Sequence, residues 1–258
     1  CFVYFHEKQI TYPVTDERDR DYQFGFTNIT TCLAAEKVLF NSRYHRDSFL
    51  NGVDWLLGLM PDQVPEEVPY RIRRKSAVLP VGIQLTDIDR QCRAARERRG
   101  PLRILWNHRW EWDKAPEEFF RALYALERRQ IPFELVVTGQ RFLNAPDVFQ
   151  EAQERLGEHI RHWGYLESRE EYCALMAECD VVVSTALHEF FGIAVVEAIR
   201  AGCLPLLPNR LAYPEILPPP VHEYCLYGSS AGLADRLALL ARHPARARAF
   251  DLRRSVER

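Results

Sequence analysis

VVVSTALHEFFGIAVVEAIRAGCLPLLPNRLAYPEI, residues 181–216, is the stretch whose reading decides the fold. Val181–Val183 is a β-branched run, too short and too apolar for a surface helix. A polar break runs from Ser184 to Glu189. Gly192 then opens a segment with helical spacing (Ile193, Val196, Glu197, Ala198, Ile199), Gly202 stops it, and Cys203–Leu207 reads as a second buried strand. Strand, loop, helix, strand is the unit of a parallel α/β sheet. Two carboxylates stand apart in it. Glu189 lies in the loop before the helix, and Glu197 lies eight residues later among apolar neighbours. A carboxylate in that setting is costly without a partner, so Glu197 asks for a hydroxyl or a cation.

The same unit repeats on either side. Leu102–Trp106, Phe133–Thr138 and Ile160–Trp163 read as strands; Pro116–Arg129, Asp147–Leu156 and Ser168–Cys179 read as helices. Little in the pattern reads as a hairpin, so residues 100–240 are expected to form a doubly wound domain, with a helical tail interrupted by Pro244. Upstream, Cys1–Phe5, Val38–Asn41 and Ala77–Pro80 read as strands. Helices are expected from Thr27 to Lys37 with Thr27 as cap, and from Ser42 onward with Ser42 as cap. Residues 10–24 read as a loop, and 51–75 as helix then loop. The polar, arginine-rich run 84–100 marks the expected boundary between a domain over 1–98 and one over 99–258. The chain opens on a strand with no Met and no lead-in, from which the first domain is expected to be truncated at its N-terminus.

The net charge of -2 over 258 residues argues against a broad electrostatic footprint for nucleic acid, though not against a local one. Two basic segments qualify: 71–75 (Arg71, Arg73, Arg74, Lys75) and 90–99 (Arg90, Arg93, Arg96, Arg98, Arg99). Each reads as a linker face or as a contact surface for a polyanion. No apolar run is long enough to predict a membrane span. Seven cysteines without a C-x-x-C pair predict buried thiols in a reducing compartment, and a cytoplasmic location fits.

Ligands of open α/β sheets bind beyond the carboxyl ends of the strands. Asn107 to Lys114, Gly139 to Arg141, Tyr165 and Leu166, and Ser184 to Ile193 fall at such ends, and His6 follows the first strand. Arg109 and Lys114 are two cations at one strand end. With the helix start near Gly192 they make a site for a diphosphate. Glu189 suits vicinal hydroxyls of a sugar, and Glu197 suits a ribose. Tyr165 and Leu166 face a base or belong to the core; His6 donates across the site or is structural. No G-x-G-x-x-G follows a strand and no G-x-x-x-x-G-K-[ST] occurs, which disfavours a dinucleotide fold and a P-loop. No H-E-x-x-H occurs and the histidines are scattered, so metal chemistry is weakly indicated.

Glu189 and Glu197 in HEFFGIAVVEAIRAGCLPLLPNRLAYPE (188–215) resemble the E-x7-E motif of retaining GT-B glycosyltransferases of family 4, which includes relatives of sucrose and glycogen synthases. Arg109 and Lys114 in NHRWEWDK are similar to that family's diphosphate-binding pair. FVYFHEKQITYP (2–13) and NHRWEWDKAPEEFF (107–120) resemble, more narrowly, the branch that mannosylates queuosine in tRNA. The resemblance implies two Rossmann-like domains facing across a cleft. It implies a GDP-mannose donor and an aspartate tRNA acceptor, with no cofactor and no metal. It assigns Arg109 and Lys114 to the diphosphate, Glu189 to the mannose hydroxyls and Glu197 to the ribose. Phe191, Gly192 and Ile193 would serve phosphate and sugar through backbone N–H groups, Tyr165 and Leu166 the base side, and His6 the cleft. A transferase acting on a lipid or small glycan, a GT-B epimerase, and a non-catalytic binding protein remain the alternatives.

Overall fold

The computed structural model describes residues 1–8, 10, 21–62, 64–94, 98–142 and 144–256. They form two compact units: residues 1–82 with 188–191, and residues 83–187 with 192–258.

Unit 1 runs β1 (Phe2–Phe5), α1 (Tyr22–Ala34), β2 (Lys37–Phe40), α2 (Arg43–Gly58), α3 (Glu67–Lys75) and β3 (Ser76–Val78). The strands pair in parallel in the order β1-β2-β3, with Phe5 beside Phe40 and Phe40 beside Val78. α2 starts where the sequence places it, because Ser42 Oγ accepts from His45 N at 2.9 Å. Its face Phe49, Leu50, Val53, Leu56, Leu57 has the helical spacing and packs with Phe5, Val38 and Phe40 in one core.

Two expectations for unit 1 are corrected. α1 begins five residues before Thr27. Asp21 is the cap, its carboxylate accepting from Gln23 N at 2.8 Å, and Thr27 sits inside the helix with its hydroxyl bonded to Gln23 O. The loop expected over 10–24 otherwise lies largely on 11–20, outside the described residues. Residues 67–75 are helix rather than loop: Val68 and Ile72, one turn apart, are buried, and Pro69 lies in the first turn, where no intrahelical N–H is needed.

Unit 2 runs α4 (Thr86–Ala94), β4 (Leu102–Asn107), α5 (Pro116–Arg128), β5 (Phe133–Thr138), α6 (Val148–Arg155), β6 (Ile160–Gly164), α7 (Arg169–Ala177), β7 (Val181–Val183), α8 (Ile193–Arg200), β8 (Leu204–Pro208), α9 (Tyr213–Ile216), α10 (His222–Cys225), β9 (Leu226–Tyr227), α11 (Ser230–Arg242) and α12 (Pro244–Arg248). Its six strands are parallel in the order β6-β5-β4-β7-β8-β9. The order reverses around β4, so the loops after β4 and β7 leave neighbouring strands in opposite directions, the place where such sheets bind ligands. Side-chain pairing supports the register: Arg103 lies beside Glu134 across β4 and β5 and bonds it at 2.7 Å.

The division of the chain falls at Gly82/Ile83 rather than at 98/99. The run read as a linker contains α4, whose Ile88 is fully buried in the core of unit 2 and whose Asp89 takes two bonds from Arg200, at 2.6 and 2.9 Å. Arg98 is likewise occupied: its guanidinium bonds the carbonyls of Cys179 and Gly202. Arg90 pairs with Asp87 at 3.5 Å, and Arg96 lies outside the described residues. All seven thiols are free and five are buried. Among the described residues no helix is long and apolar enough to cross a membrane.

Candidate functional site

At the end of β4 the chain turns sharply to present Arg109 and Lys114. Asn107 is buried and fixes the exit: its amide donates to Ala194 O at 2.9 Å, in the first turn of α8, and to Tyr172 Oη at 3.0 Å on α7. His108 follows, buried; desolvation and the nearby Lys114 charge pull its imidazole down to about 3, so it is neutral near pH 7. Gly139, at the end of β5, makes the close approach possible. A Cβ there would meet the His108 carbonyl oxygen at 1.8 Å. Trp110 N donates to Gln140 O at 2.9 Å, and the Trp110 ring stacks on Phe149 at 4.3 Å, which pins the loop carrying Arg109.

The two cations differ in setting. Arg109 is exposed, with an ion pair to Glu111 at 3.1 Å. Lys114 is buried and pairs with buried Asp113 at 3.1 Å. The short helical turn Trp112–Lys114 ends on Ala115 in the left-handed region (φ 46°), an uncommon conformation for a residue with a Cβ. The β4 and β7 loops are tied together at this point. Thr185 Oγ1 donates to Lys114 O at 2.7 Å, and Leu187 N donates to Asp113 O at 2.7 Å. Arg210, after β8, donates to the carbonyls of Ala186 and Thr185.

Glu197 is buried in α8, and its partner is a cation: Arg169 Nη2 donates to Glu197 Oε1 at 2.6 Å. The reading of Glu197 as a carboxylate in need of a partner is met by a residue that reading did not name. The spacing held the signal, since Arg169 opens the helix that follows β6. Gly192 adopts φ 86° immediately before α8, and Ile193 is exposed at the helix start. Tyr165 is 62% exposed and Leu166 half-buried; both follow β6, an edge strand, so Tyr165 is not a core residue.

The remaining candidates lie in unit 1. His6 is exposed just past β1, its carbonyl accepting from Asn41 Nδ2 at 2.9 Å. Asn41 Oδ1 is 2.8 Å from His45 Nδ1, and the buried His45 ring stacks on Phe190 at 4.1 Å. Glu189 is half-buried, and its Oε1 accepts from Phe190 N and Phe191 N at 3.0 and 3.3 Å. A residue that sequence reasoning missed completes this cluster. Lys8 is fully buried, its Nζ 2.5 Å from Ser48 Oγ and 5.7 Å from the centre of the Phe190 ring. Burial lowers its ammonium to about 7, and burial also holds His45 at about 3.

Residues 1–83 match the family described as tRNA-queuosine alpha-mannosyltransferase N-terminal, and residues 87–252 match glycosyl transferases group 1. A Drosophila melanogaster protein named tRNA-queuosine alpha-mannosyltransferase is 39% identical over 248 residues, 94% of this chain; the chain spans 64% of that relative's length. A GDP-mannose:cellobiosyl-diphosphopolyprenol alpha-mannosyltransferase of Xanthomonas campestris is 32% identical over 124 residues, 47% of this chain and 33% of its own. Among solved structures, sucrose-phosphate synthase from Thermosynechococcus elongatus matches with a TM-score of 0.72 at 19% identity, over 99% of this chain and 62% of its own. That likeness carries the fold, α/β with parallel sheets of the GT-B type.

Proposed function

The chain belongs to the group 1 glycosyltransferases, and on that premise we propose that it transfers mannose from GDP-mannose to queuosine in the anticodon of a tRNA, with retention at the anomeric carbon. One observation carries the reading. A segment matching the N-terminal family of tRNA-queuosine mannosyltransferases (1–83) is followed directly by the transferase segment (87–252) in one chain. The charges of unit 2 support the donor half: two cations at one strand end and a buried carboxylate one helix away.

In this mechanism the acceptor hydroxyl attacks from the face that the diphosphate leaves, and the departing phosphate oxygen takes its proton. Lys114 and Arg109 stabilise the negative charge that grows on the diphosphate, which is electrostatic catalysis by fixed cations and needs no metal. Lys114 is the stronger of the two because it is buried and its turn is fastened by Thr185 and Leu187. Backbone N–H groups of Gly192 and Ile193 meet phosphate and sugar, with the Phe191 N–H on Glu189 until the donor enters; Glu197 meets the ribose, and Tyr165 and Leu166 the base. Glu189 and His6 orient the mannose as positive charge develops on it. A covalent role for Glu189 ranks lower, because its carboxylate already accepts from two backbone amides.

The acceptor surface of this reading is the exposed part of α3: Arg71, Arg73 and Arg74, with Tyr70 62% exposed beside Arg74. Lys75 is removed from that strip, since its ammonium bonds the carbonyls of Leu33 and Ala35 at the end of α1. Cations on RNA phosphates supply affinity, not base readout. A tRNA acceptor fits a cytoplasmic reaction.

The test is incubation of the protein with radiolabelled GDP-mannose and tRNA carrying queuosine, then digestion to nucleosides. Label in a mannosylated queuosine nucleoside is expected. Tight GDP binding with label lost only to water sends the acceptor to lipids or glycans, and absence of GDP binding overturns the donor reading as well.

A further inference from the structure

The ion pair between Arg169 and Glu197 joins two segments that the donor reading keeps separate. Arg169 is the first residue of α7, directly after the Tyr165–Ser168 turn that leaves β6. Glu197 is in the middle of α8. Their contact is 2.6 Å, with the carboxylate side chain 11% exposed and the guanidinium 42% exposed. One guanidinium nitrogen meets one carboxylate oxygen, Oε1, and the Glu197 hydrogen bond raises the already high pKa of Arg169. The arginine lies over the Tyr172 ring at 5.5 Å, and Tyr172 is held by Asn107, which also holds Ala194 of α8. Arg169 therefore cannot swing freely. Its ring neighbour is fastened to the end of β4 and to the start of the helix that carries Glu197.

We infer that Arg169 is a positioning residue for the ribose: it supplies the charge that lets Glu197 remain a buried carboxylate and fixes which of its oxygens faces the nucleotide. The physical reason is asymmetry. A carboxylate accepts at two oxygens, and a single charge-assisted bond to Oε1 orients the group while Oε2 keeps its capacity for hydroxyls. Without the cation, the carboxylate would stay buried with its main compensation gone. This inference rests on the assignment of Glu197 to the ribose and goes beyond it, because nothing in that assignment requires Arg169. Arg169 touches the carboxylate rather than the reacting atoms, so its effect belongs in donor binding and hydroxyl discrimination.

The experiment is calorimetric titration of GDP and of 2′,3′-dideoxy-GDP into the wild-type protein and into the variants Arg169→Gln, Arg169→Lys and Glu197→Gln. Each protein is also melted without ligand to establish that it is folded. The wild type is expected to prefer GDP over the dideoxy nucleotide by about tenfold or more, the worth of a hydrogen bond to a charged group. Arg169→Gln is expected to lose most of that preference, as Glu197→Gln does, while its affinity for the dideoxy nucleotide changes by less than about threefold. Arg169→Lys is expected to restore part of it. If folded Arg169→Gln keeps the wild-type preference, or loses both nucleotides equally, the inference is overturned while the ribose assignment stands. If the wild type itself binds GDP without preferring it to the dideoxy form, the ribose assignment falls and this inference with it.

Discussion

The carboxyl ends of the two sheets handle charge in opposite ways. In unit 2 charges are paired: Lys114 with Asp113 and Arg109 with Glu111 in the loop after β4, and Glu197 of α8 with Arg169 of α7. Past the ends of β1 and β2, basic groups are buried, and desolvation lowers them: Lys8 to about 7 and His45 to about 3. The first arrangement suits a charged ligand, because a cation already held by one carboxylate has further donors to share with a diphosphate. The second is a packed polar core whose protonation depends on pH. The contrast teaches that unit 2 carries its electrostatics ready-made, whereas unit 1 carries a latent charge.

The strongest way to break this contrast is Lys114→Ala. Loss of a fixed cation aimed at the leaving group is expected to lower turnover by about 10²–10³-fold. The same change strands Asp113, which is 1% exposed, and should cost about 3 kcal/mol of stability, read as a lower melting temperature. Arg109→Ala sharpens the result. Its side chain is 55% exposed, so turnover should fall while the melting temperature holds within the small range of surface substitutions. A loss of turnover under about threefold for Lys114→Ala would remove its assigned role.

The next test concerns Lys8. Its folded pKa of about 7 lies below the ordinary lysine value, so between those values the unfolded chain holds a proton that the folded chain does not. Stability therefore rises as pH climbs from 7 toward 10.5, and the full penalty of a buried ammonium applies below pH 7. Lys8→Met removes the penalty. It should stabilise the protein by about 5 kcal/mol at pH 6, with most of the gain gone by about pH 10. A constant gain across that range would show that packing, not charge, is responsible.

His45 and His108 extend the comparison to acid, one in each unit. Both are held near 3, so each is neutral in the fold where an unfolded histidine is charged. Their contribution is intact above pH 6.5 and is lost as pH falls below it, by about 1.4 kcal/mol per pH unit for each. Proton resonances of the two rings should not move between pH 5 and 8. A midpoint above 6 for either ring would break the claim that burial discharges it.

Much of unit 2 was legible because its pattern is local. β7 coincides with its β-branched run and β5 with the strand read over Phe133–Thr138, and α5 shows its apolar face at helical spacing. Glu197 announced a partner through composition alone. What stayed hidden depends on contacts distant in sequence. Arg98 and Lys75 look like solvated charges in a basic run, yet each caps carbonyls far along the chain. Lys8 reads as one polar residue among several, and its burial follows from Ser48 and Phe190, which are 40 and 182 positions away. The start of α1 was missed because Asp21 stands inside a run of charges that masks a cap.

The smallest effect separates spent from available charge within one helix. Arg73 and Arg74 are exposed, whereas the Lys75 ammonium bonds two carbonyls, at 2.8 and 2.5 Å. If α3 meets tRNA, Arg73→Ala and Arg74→Ala should each reduce the slope of log affinity against log salt by about one, because each releases one phosphate contact. Both should leave stability within about 0.5 kcal/mol. Lys75→Ala should do the reverse. It should cost about 1–3 kcal/mol, the worth of hydrogen bonds from a charged donor, and leave the salt slope alone. An unchanged slope in the arginine double variant would move the acceptor surface off this helix, since screened cations that touch no phosphate release no counterions.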